Sequence, residues 1–233
     1  MSYAYYQLPN GRVASLEDDC DFPPLSMALK EPNGLIAIGG DLSATRLLEA
    51  YQQGIFPWFS EGEPVMWWSP SPRMVLFPDE LKISNSLKKT LKKQPFEVRF
   101  NTSFSAVITA CSNTPRLDKN NNPAGTWISN EMIAAYSELN RLGYAISMES
   151  WLDNQLVGGC YGVKIGRMFY GESMFHHVTD ASKVAFVHLV RYLQAQNVGL
   201  IDCQMKTPLL ASFGGREIER DLFMQHLKFL ISA

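Results

Sequence analysis

Cysteine is scarce in this chain: four residues (Cys20, Cys111, Cys160 and Cys203) in 233, far apart and with no CxxC pair. Four histidines do not make up the deficit, so neither a disulfide framework nor a structural zinc site is expected, and the thiols read as reduced and buried. Long apolar runs are missing too. No stretch reaches eighteen consecutive apolar residues, which excludes a membrane-spanning helix of ordinary length. The polar, tyrosine-rich residues 2–7 lack the basic and apolar parts of a signal peptide, so a cytoplasmic protein is expected. A global excess of positive charge is absent as well: the formal net charge is −2, and any nucleic-acid partner must be recognised by a local patch. There are no internal repeats, and three consecutive asparagines at 120–122 are the whole of the low-complexity content. What remains is 46% hydrophobic and 19% charged, the composition of a globular chain with ample core.

The stretch 144–204 organises the rest. Residues 144–149 alternate apolar and small or polar side chains, the period of a strand. Asp153-Asn154 makes a turn, and 155–163 with 168–175 forms a hairpin around Lys164-Ile165-Gly166-Arg167. Asp180 stands where an N-cap is wanted for a helix over 181–196, and Val187, Val190 and Leu193 give that helix an apolar face. Leu200-Ile201-Asp202-Cys203-Gln204 follows as a strand. Strict alternation puts Asp202 and Gln204 on one face and turns Cys203 away from both. A second polar string, Gly171-Glu172-Ser173, closes the neighbouring hairpin. Two polar strand ends joined by one helix read either as surface loops or as a site, since ligands in open sheets gather at the carboxyl ends of parallel strands.

The first thirty residues are rich in turn signals, with Pro9-Asn10-Gly11 and Pro23-Pro24. A short strand at 35–38 leads to a helix over 44–53 capped by Ser43 and stopped at Gly54. Three tryptophans and two phenylalanines then fall within residues 56–68, broken by proline. They form either core or a platform on which a base can stack. A strand at 74–77 precedes Ser-Leu-Lys-Lys-Thr-Leu-Lys-Lys at 86–93, whose Leu87 and Leu91 make an inner helical face. Between Lys82 and Arg99 there are six basic residues and one acidic. That local excess makes Lys88, Lys89, Lys92 and Lys93 candidates for phosphate contact, against the plainer reading of a solvated helix face. Helices follow at 104–111 and 130–142, separated by a loop over 115–123. Residues 207–215 read as loop and turn, and 220–230 as a closing amphipathic helix.

The strings EPNGLIAIGGDLS, YQQGIFPWFS, WWSPSPR, GTWIS, YGESMF, ASK and LIDCQ occur in this order. Together they resemble the motifs of the bacterial leucyl/phenylalanyl-tRNA–protein transferases, from about Phe22 to about Arg220. The resemblance implies an α+β chain: a small N-terminal α/β domain (1–72), then a GNAT-like acyltransferase domain (73–233) with a mixed central sheet flanked by helices. It implies an aminoacyltransferase that moves leucine or phenylalanine, and methionine less well, from charged tRNA to the N-terminal Lys or Arg of acceptor proteins, creating an N-end-rule degradation signal. Charged tRNA and those acceptors are the implied partners, with no membrane, no metal, no cofactor and a monomeric state expected.

The resemblance assigns catalysis to Asp202 and Gln204, and the polar end of the neighbouring hairpin adds Glu172 to the expected site. The resemblance also gives the apolar substrate pocket to Cys160, Phe169, Gly171, Met174, Phe186, Leu189 and Ile201, and makes Trp127 substrate-facing. With Trp58, Trp127 is expected to hold the terminal adenosine. An aminoacyl ester is already activated, so a site need only hold both substrates, deprotonate the amine and stabilise an oxyanion. Asp202 would accept the amine's proton or orient Gln204, and Asp202→Asn should therefore keep or raise stability. Cys203 as nucleophile and His176 or His177 as base are the lesser readings. Two rivals remain. A CoA-dependent N-acyltransferase wants a glycine-rich turn before the central helix, and residues 173–180 (SMFHHVTD) contain no glycine. A non-catalytic RNA-binding module leaves Asp202 and Gln204 unexplained.

Overall fold

In a computed structural model, which describes residues 3–17, 21–114, 116–117, 123–124 and 126–232, two mixed sheets carry the chain. The first holds β1 (Ala4–Leu8), β2 (Gly11–Leu16), β3 (Leu35–Gly39), β4 (Phe56–Pro57) and β5 (Met66–Trp68) in the order β1-β2-β3-β5-β4. Helix α1 (Ala44–Gln52) lies between β3 and β4. The N-terminal hairpin was not legible as strands because β1, Ala-Tyr-Tyr-Gln-Leu, is exposed along nearly its whole length and shows no buried alternation. The Ser43 hydroxyl accepts the Arg46 N–H at 3.2 Å, the expected cap, and Gly54 turns the chain after α1 at φ 72°.

The second sheet holds β6 (Arg73–Leu76), β7 (Glu97–Phe100), β10 (Ala145–Leu152), β11 (Gln155–Ile165), β12 (Met168–His176), β13 (Leu200–Gln204) and β14 (Arg216–Ile218). Their order is β14-β6-β13-β12-β11-β10-β7, and β8 (Arg116–Leu117) pairs separately with β9 (Pro123–Ala124). Around it stand α2 (Asn85–Lys93), α3 (Phe104–Ser112), α4 (Asn130–Arg141), α5 (Ala181–Ala195), α6 (Pro208–Ser212) and α7 (Arg220–Ile231). The architecture is α+β. The short α6 replaces part of the expected 207–215 loop, capped by the Thr207 hydroxyl, which accepts the Leu210 N–H. Cys20, Gly125 and most of the expected 115–123 loop lie outside the described residues.

Apolar side chains fill both faces of this sheet. On one face Tyr51, Ile55, Phe56 and Trp67 from the first part of the chain pack into a single core with Val75, Phe104, Tyr136, Tyr170 and Phe223. On the other, Cys160, Phe169, Phe186, Leu189, Ile201 and Cys203 pack together beneath α5. Alternation along β13 sends Leu200 to the first core and Ile201 to the second, as period two requires.

The start of α5 departs from expectation. Asp180 adopts a left-handed φ of 65° and makes no side-chain cap. Its carboxylate instead accepts from Lys183 Nζ at 2.9 Å and from the Thr90 hydroxyl of α2 at 3.0 Å. A tertiary contact has displaced the local one.

Candidate active site

Strands β12 and β13 run parallel but pair only at Met168–Leu200, Phe169–Ile201 and Tyr170–Asp202. Beyond that point β12 stays with β11 while β13 ends, and the two carboxyl-terminal segments part. Both strands are bulged at the parting. Across β11, Tyr161 faces Ser173 and Gly162 faces Gly171, so Glu172 is the extra residue. A Cβ on Gly162 would lie 2.1 Å from the Tyr170 carbonyl oxygen, which is why glycine stands opposite the bulge. Across β6, Asp202 faces Val75 and Gln204 faces Met74, so Cys203 is extra, and Gln204 takes a φ of 55°.

A cavity of about 450 Å³ occupies the wedge. Trp58, Trp127, Cys160, Phe169, Gly171, Met174, Phe186, Leu189 and Ile201 all line it, with Glu172 and Gln204. Phe56, Pro57, Thr114, Tyr161, Ser173, Met205, Thr207, Leu209 and Leu210 line it as well. Phe56 belongs to the aromatic cluster and Ser173 to the polar string noted in the sequence; the others had no separate mark, being ordinary apolar or loop residues. Trp58 is 41% exposed at the rim and packs edge-on against Trp68, whereas Trp127 is partly buried against the first core.

The bulge overturns the expected pairing of Asp202 with Gln204. Gln204 lines the cavity beside Ile201 and Cys203, and Asp202 does not. Alternation holds as far as Cys203 and fails at that extra residue, which re-aims Gln204 and the chain beyond it. Cys203 is correspondingly a wall residue rather than one turned away. Burial pushes its thiol up from the ordinary range, so it carries no thiolate with which to act as a nucleophile. His176, the last residue of β12, and His177 after it are exposed and do not line the cavity.

Asp202 is wholly buried. Its two oxygens accept from Arg73 Nε at 2.8 Å and Arg73 Nη2 at 2.6 Å, and Oδ1 also accepts the Gln204 N–H at 2.9 Å. A carboxylate so engaged is an ionic partner and an anchor for the Gln204 turn; it has no free oxygen aimed at the cavity. The expected stability of Asp202→Asn falls with this, because the substitution strands a buried guanidinium. Arg73 was missed. It closes the motif WWSPSPR, yet nothing local points to a partner 129 residues away.

Glu172 is treated differently. Partly exposed to the cavity, its carboxylate accepts from the Tyr51 hydroxyl of α1 at 2.7 Å and from the Tyr136 hydroxyl of α4 at 3.1 Å. The two hydroxyls also touch each other. Three oxygen–oxygen contacts thus share two hydroxyl protons, and all three are satisfied only when the carboxyl group brings a third. Burial, the largest cause, pushes Glu172 up to about 7; the tyrosine hydroxyls pull it down, Asp202 pushes it up and Arg73 pulls it down. Burial, with the Glu172 charge next, holds both tyrosines well above their ordinary range. Glu172 is the one ionisable carboxylate among the described residues that line the cavity.

Outside the cavity, α2 is capped by the Ser84 hydroxyl, which accepts the Leu87 N–H at 3.3 Å. It buries Leu87, partly buries Leu91, and exposes Lys88, Lys89, Lys92 and Lys93. Among the described residues none of the four is ion-paired. No group of residues suited to a metal occurs among those described, and no helix among them is long and apolar enough to cross a membrane.

The family described as leucyl/phenylalanyl-tRNA protein transferase matches residues 75–228, and its N-terminal domain matches residues 40–71. A leucyl/phenylalanyl-tRNA–protein transferase of Nitrosospira multiformis is 58% identical over 217 residues, covering 93% of this chain and 91% of the relative. One from Chromobacterium violaceum is 60% identical over 207 residues, covering 89% and 87%. Solved structures are far more distant. L-PGS from Bacillus licheniformis is 8% identical over 85% of this chain and 73% of that one, with a TM-score of 0.44. A predicted acetyltransferase with acetyl-CoA from Clostridium acetobutylicum is 14% identical over 49% and 82%, with a TM-score of 0.36. Neither is near enough to carry an argument, but the sequence relatives are: the chain belongs to the leucyl/phenylalanyl-tRNA–protein transferase family and is an aminoacyltransferase.

Proposed function

We propose that this enzyme transfers leucine or phenylalanine, and methionine less well, from charged tRNA to proteins beginning with Lys or Arg, and so marks them for degradation by the N-end rule. The observation that carries the chemistry is an apolar cavity of about 450 Å³ with a single carboxylate in its wall, raised to about 7. Cys160, Phe169, Met174, Phe186, Leu189 and Ile201 offer an aliphatic or aromatic side chain a surface without charge. A charged amino acid would be desolvated there with nothing to pair it.

In this reading the ester carbonyl of the donor lies at the parting of β12 and β13. The acceptor amine attacks the carbonyl carbon, a C–N bond forms, and the C–O bond to the terminal ribose breaks. Glu172 takes the proton that the amine sheds and can return it to the departing ribose oxygen, a role suited to a group whose proton is held near neutrality. Gln204 lines the same cavity, and its amide can align the amine or donate to the developing oxyanion. Asp202 serves by holding the Gln204 turn. Trp58 and Trp127 receive the terminal adenosine, and the lysines of α2 meet the tRNA backbone. A division at 72/73 into an N-terminal and a catalytic domain, a monomeric state and a cytoplasmic location belong to the same reading.

The test is transfer of labelled leucine from charged tRNA to a casein fragment with an N-terminal Arg, with acetyl-CoA as control donor. Transfer from tRNA alone is expected. Acetylation without aminoacyl transfer would move the protein to the CoA-dependent class.

A further inference from the structure

We propose that Arg73 is a positioning residue for aminoacyl transfer: its one guanidinium fixes two walls of the cavity, the Gln204 turn through Asp202 and the Phe56–Trp58 segment through Gly54. The claim rests on the transfer reaction proposed above. Arg73 is wholly buried at the start of β6. Nε and Nη2 grip both oxygens of Asp202, and Nη1 donates to the Gly54 carbonyl at 3.1 Å. The guanidinium also lies 4.7 Å from the ring centroid of Phe56 and 4.7 Å from that of Phe223 in α7.

Each attachment leads to the cavity within a few bonds. Asp202 Oδ1 accepts the Gln204 N–H and holds that residue at its left-handed φ. Gly54 precedes by two residues the wall formed by Phe56, Pro57 and Trp58. The two walls come from distant parts of the chain and from different sheets, so ordinary strand pairing does not set their spacing. A planar, five-donor fork can reach a carboxylate and a carbonyl at once and still stack on rings. An ammonium cannot. The sequence supports the same view: a wholly buried arginine directly after Ser-Pro-Ser-Pro, in a strand otherwise apolar, is costly unless its geometry is used.

The test separates positioning from simple support of the fold. Arg73→Lys keeps a cation against Asp202 but loses the fork. Single-turnover transfer at saturating donor should fall about 10²-fold, the scale of a small misplacement of reacting groups, with the KM for charged tRNA little changed. Arg73→Met combined with Asp202→Asn removes both charges and spares the interior an unpaired ion. It should fold and remain slow.

The pH profile gives the readout that a structural role would not move. Tyr51 of α1 and Tyr136 of α4 hydrogen-bond Glu172, and the charges of Arg73 of β6 and Asp202 of β13 act on it. Arg73→Met alone leaves Asp202 uncompensated, so the ascending limb of the rate should move to higher pH. In the double variant, where both charges are gone, it should return toward the wild-type position. Arg73→Lys transferring within a few-fold of wild type, or a double variant restored to full rate, would overturn the proposal. Arg73→Lys decides alone if the double variant does not fold. Wild-type protein that transfers nothing would sink the reaction assigned above, an outcome distinct from active wild type with unaffected variants.

Discussion

Asp202 and Glu172 stand on adjacent strands at the same parting of the sheet, and the fold treats them in opposite ways. Asp202 is sealed against a guanidinium and a backbone N–H. Glu172 has only neutral hydroxyls for partners and one side open to the cavity. A carboxylate gripped at both oxygens by a buried guanidinium is fixed in place and serves the architecture. A carboxylate desolvated without a cation of its own sits near the point of gaining or losing a proton, which suits it to the proton transfer proposed above. A third buried carboxylate, Glu149, is held in another way, by neutral donors alone and outside the cavity. It accepts the N–H groups of Thr102 and Ser103 at the start of α3 together with the Thr102, Ser147 and Trp151 side chains. With those donors it caps a helix whose own Ser103 makes no side-chain cap.

The contrast is most directly broken at Asp202. Asp202→Asn should cost about 3–5 kcal/mol, because it leaves Arg73 buried and unpaired. Urea unfolding reads this, and a variant as stable as wild type would show that the pair is not the anchor described. Glu172→Gln should have the reverse signature. Single-turnover transfer near neutral pH should fall roughly 10²-fold, the scale of a positioned proton acceptor, while stability holds or rises.

The pH dependence sharpens the same comparison. The folded protein holds the Glu172 proton more tightly than the unfolded chain does, so the group's contribution to stability is greatest in acid. That contribution is lost as pH rises from about 4.5 toward about 7. The wild-type rate, in contrast, should climb through about 7 as the carboxylate ionises. Both trends should vanish in Glu172→Gln, and a rate profile unchanged in that variant would relocate the base.

Smaller effects are expected at the rim. Trp58→Ala and Trp127→Ala should each weaken a minimal aminoacyl-adenosine donor and whole charged tRNA alike, by about 1–3 kcal/mol. Steady-state KM with the two donors checks this, and a loss confined to melting temperature would make the rings structural. Replacing Lys88, Lys89, Lys92 and Lys93 with Ala should raise KM for charged tRNA only. It should also flatten the dependence of log affinity on log salt by about 0.7–0.9 for each lysine that meets a phosphate. Equal loss with the minimal donor would remove the lysines from the tRNA footprint. Neither set should shift the pH limb that Glu172 governs.

Local pattern alone determined most of the elements. The strand at 200–204, the β11–β12 hairpin and the helices α1, α3, α4, α5 and α7 were legible within a few residues, because buried faces impose periods of two or 3.6 on the sequence. The cavity residues from Cys160 to Ile201 were marked by the family resemblance; by pattern alone each reads as ordinary core. What pattern could not supply was the consequence of a single extra residue. Bulges at Glu172 and Cys203 change which side chain meets the cavity, and they arise from pairing with β11 and β6, not from anything in the strands themselves. The roles of Tyr51, Arg73 and Tyr136 lay equally out of reach. Each acquires its meaning from a carboxylate 36 to 129 residues away, and such a contact exists only once the sheet is assembled. Alternation is a property of the chain; charge compensation is a property of the neighbours that folding brings.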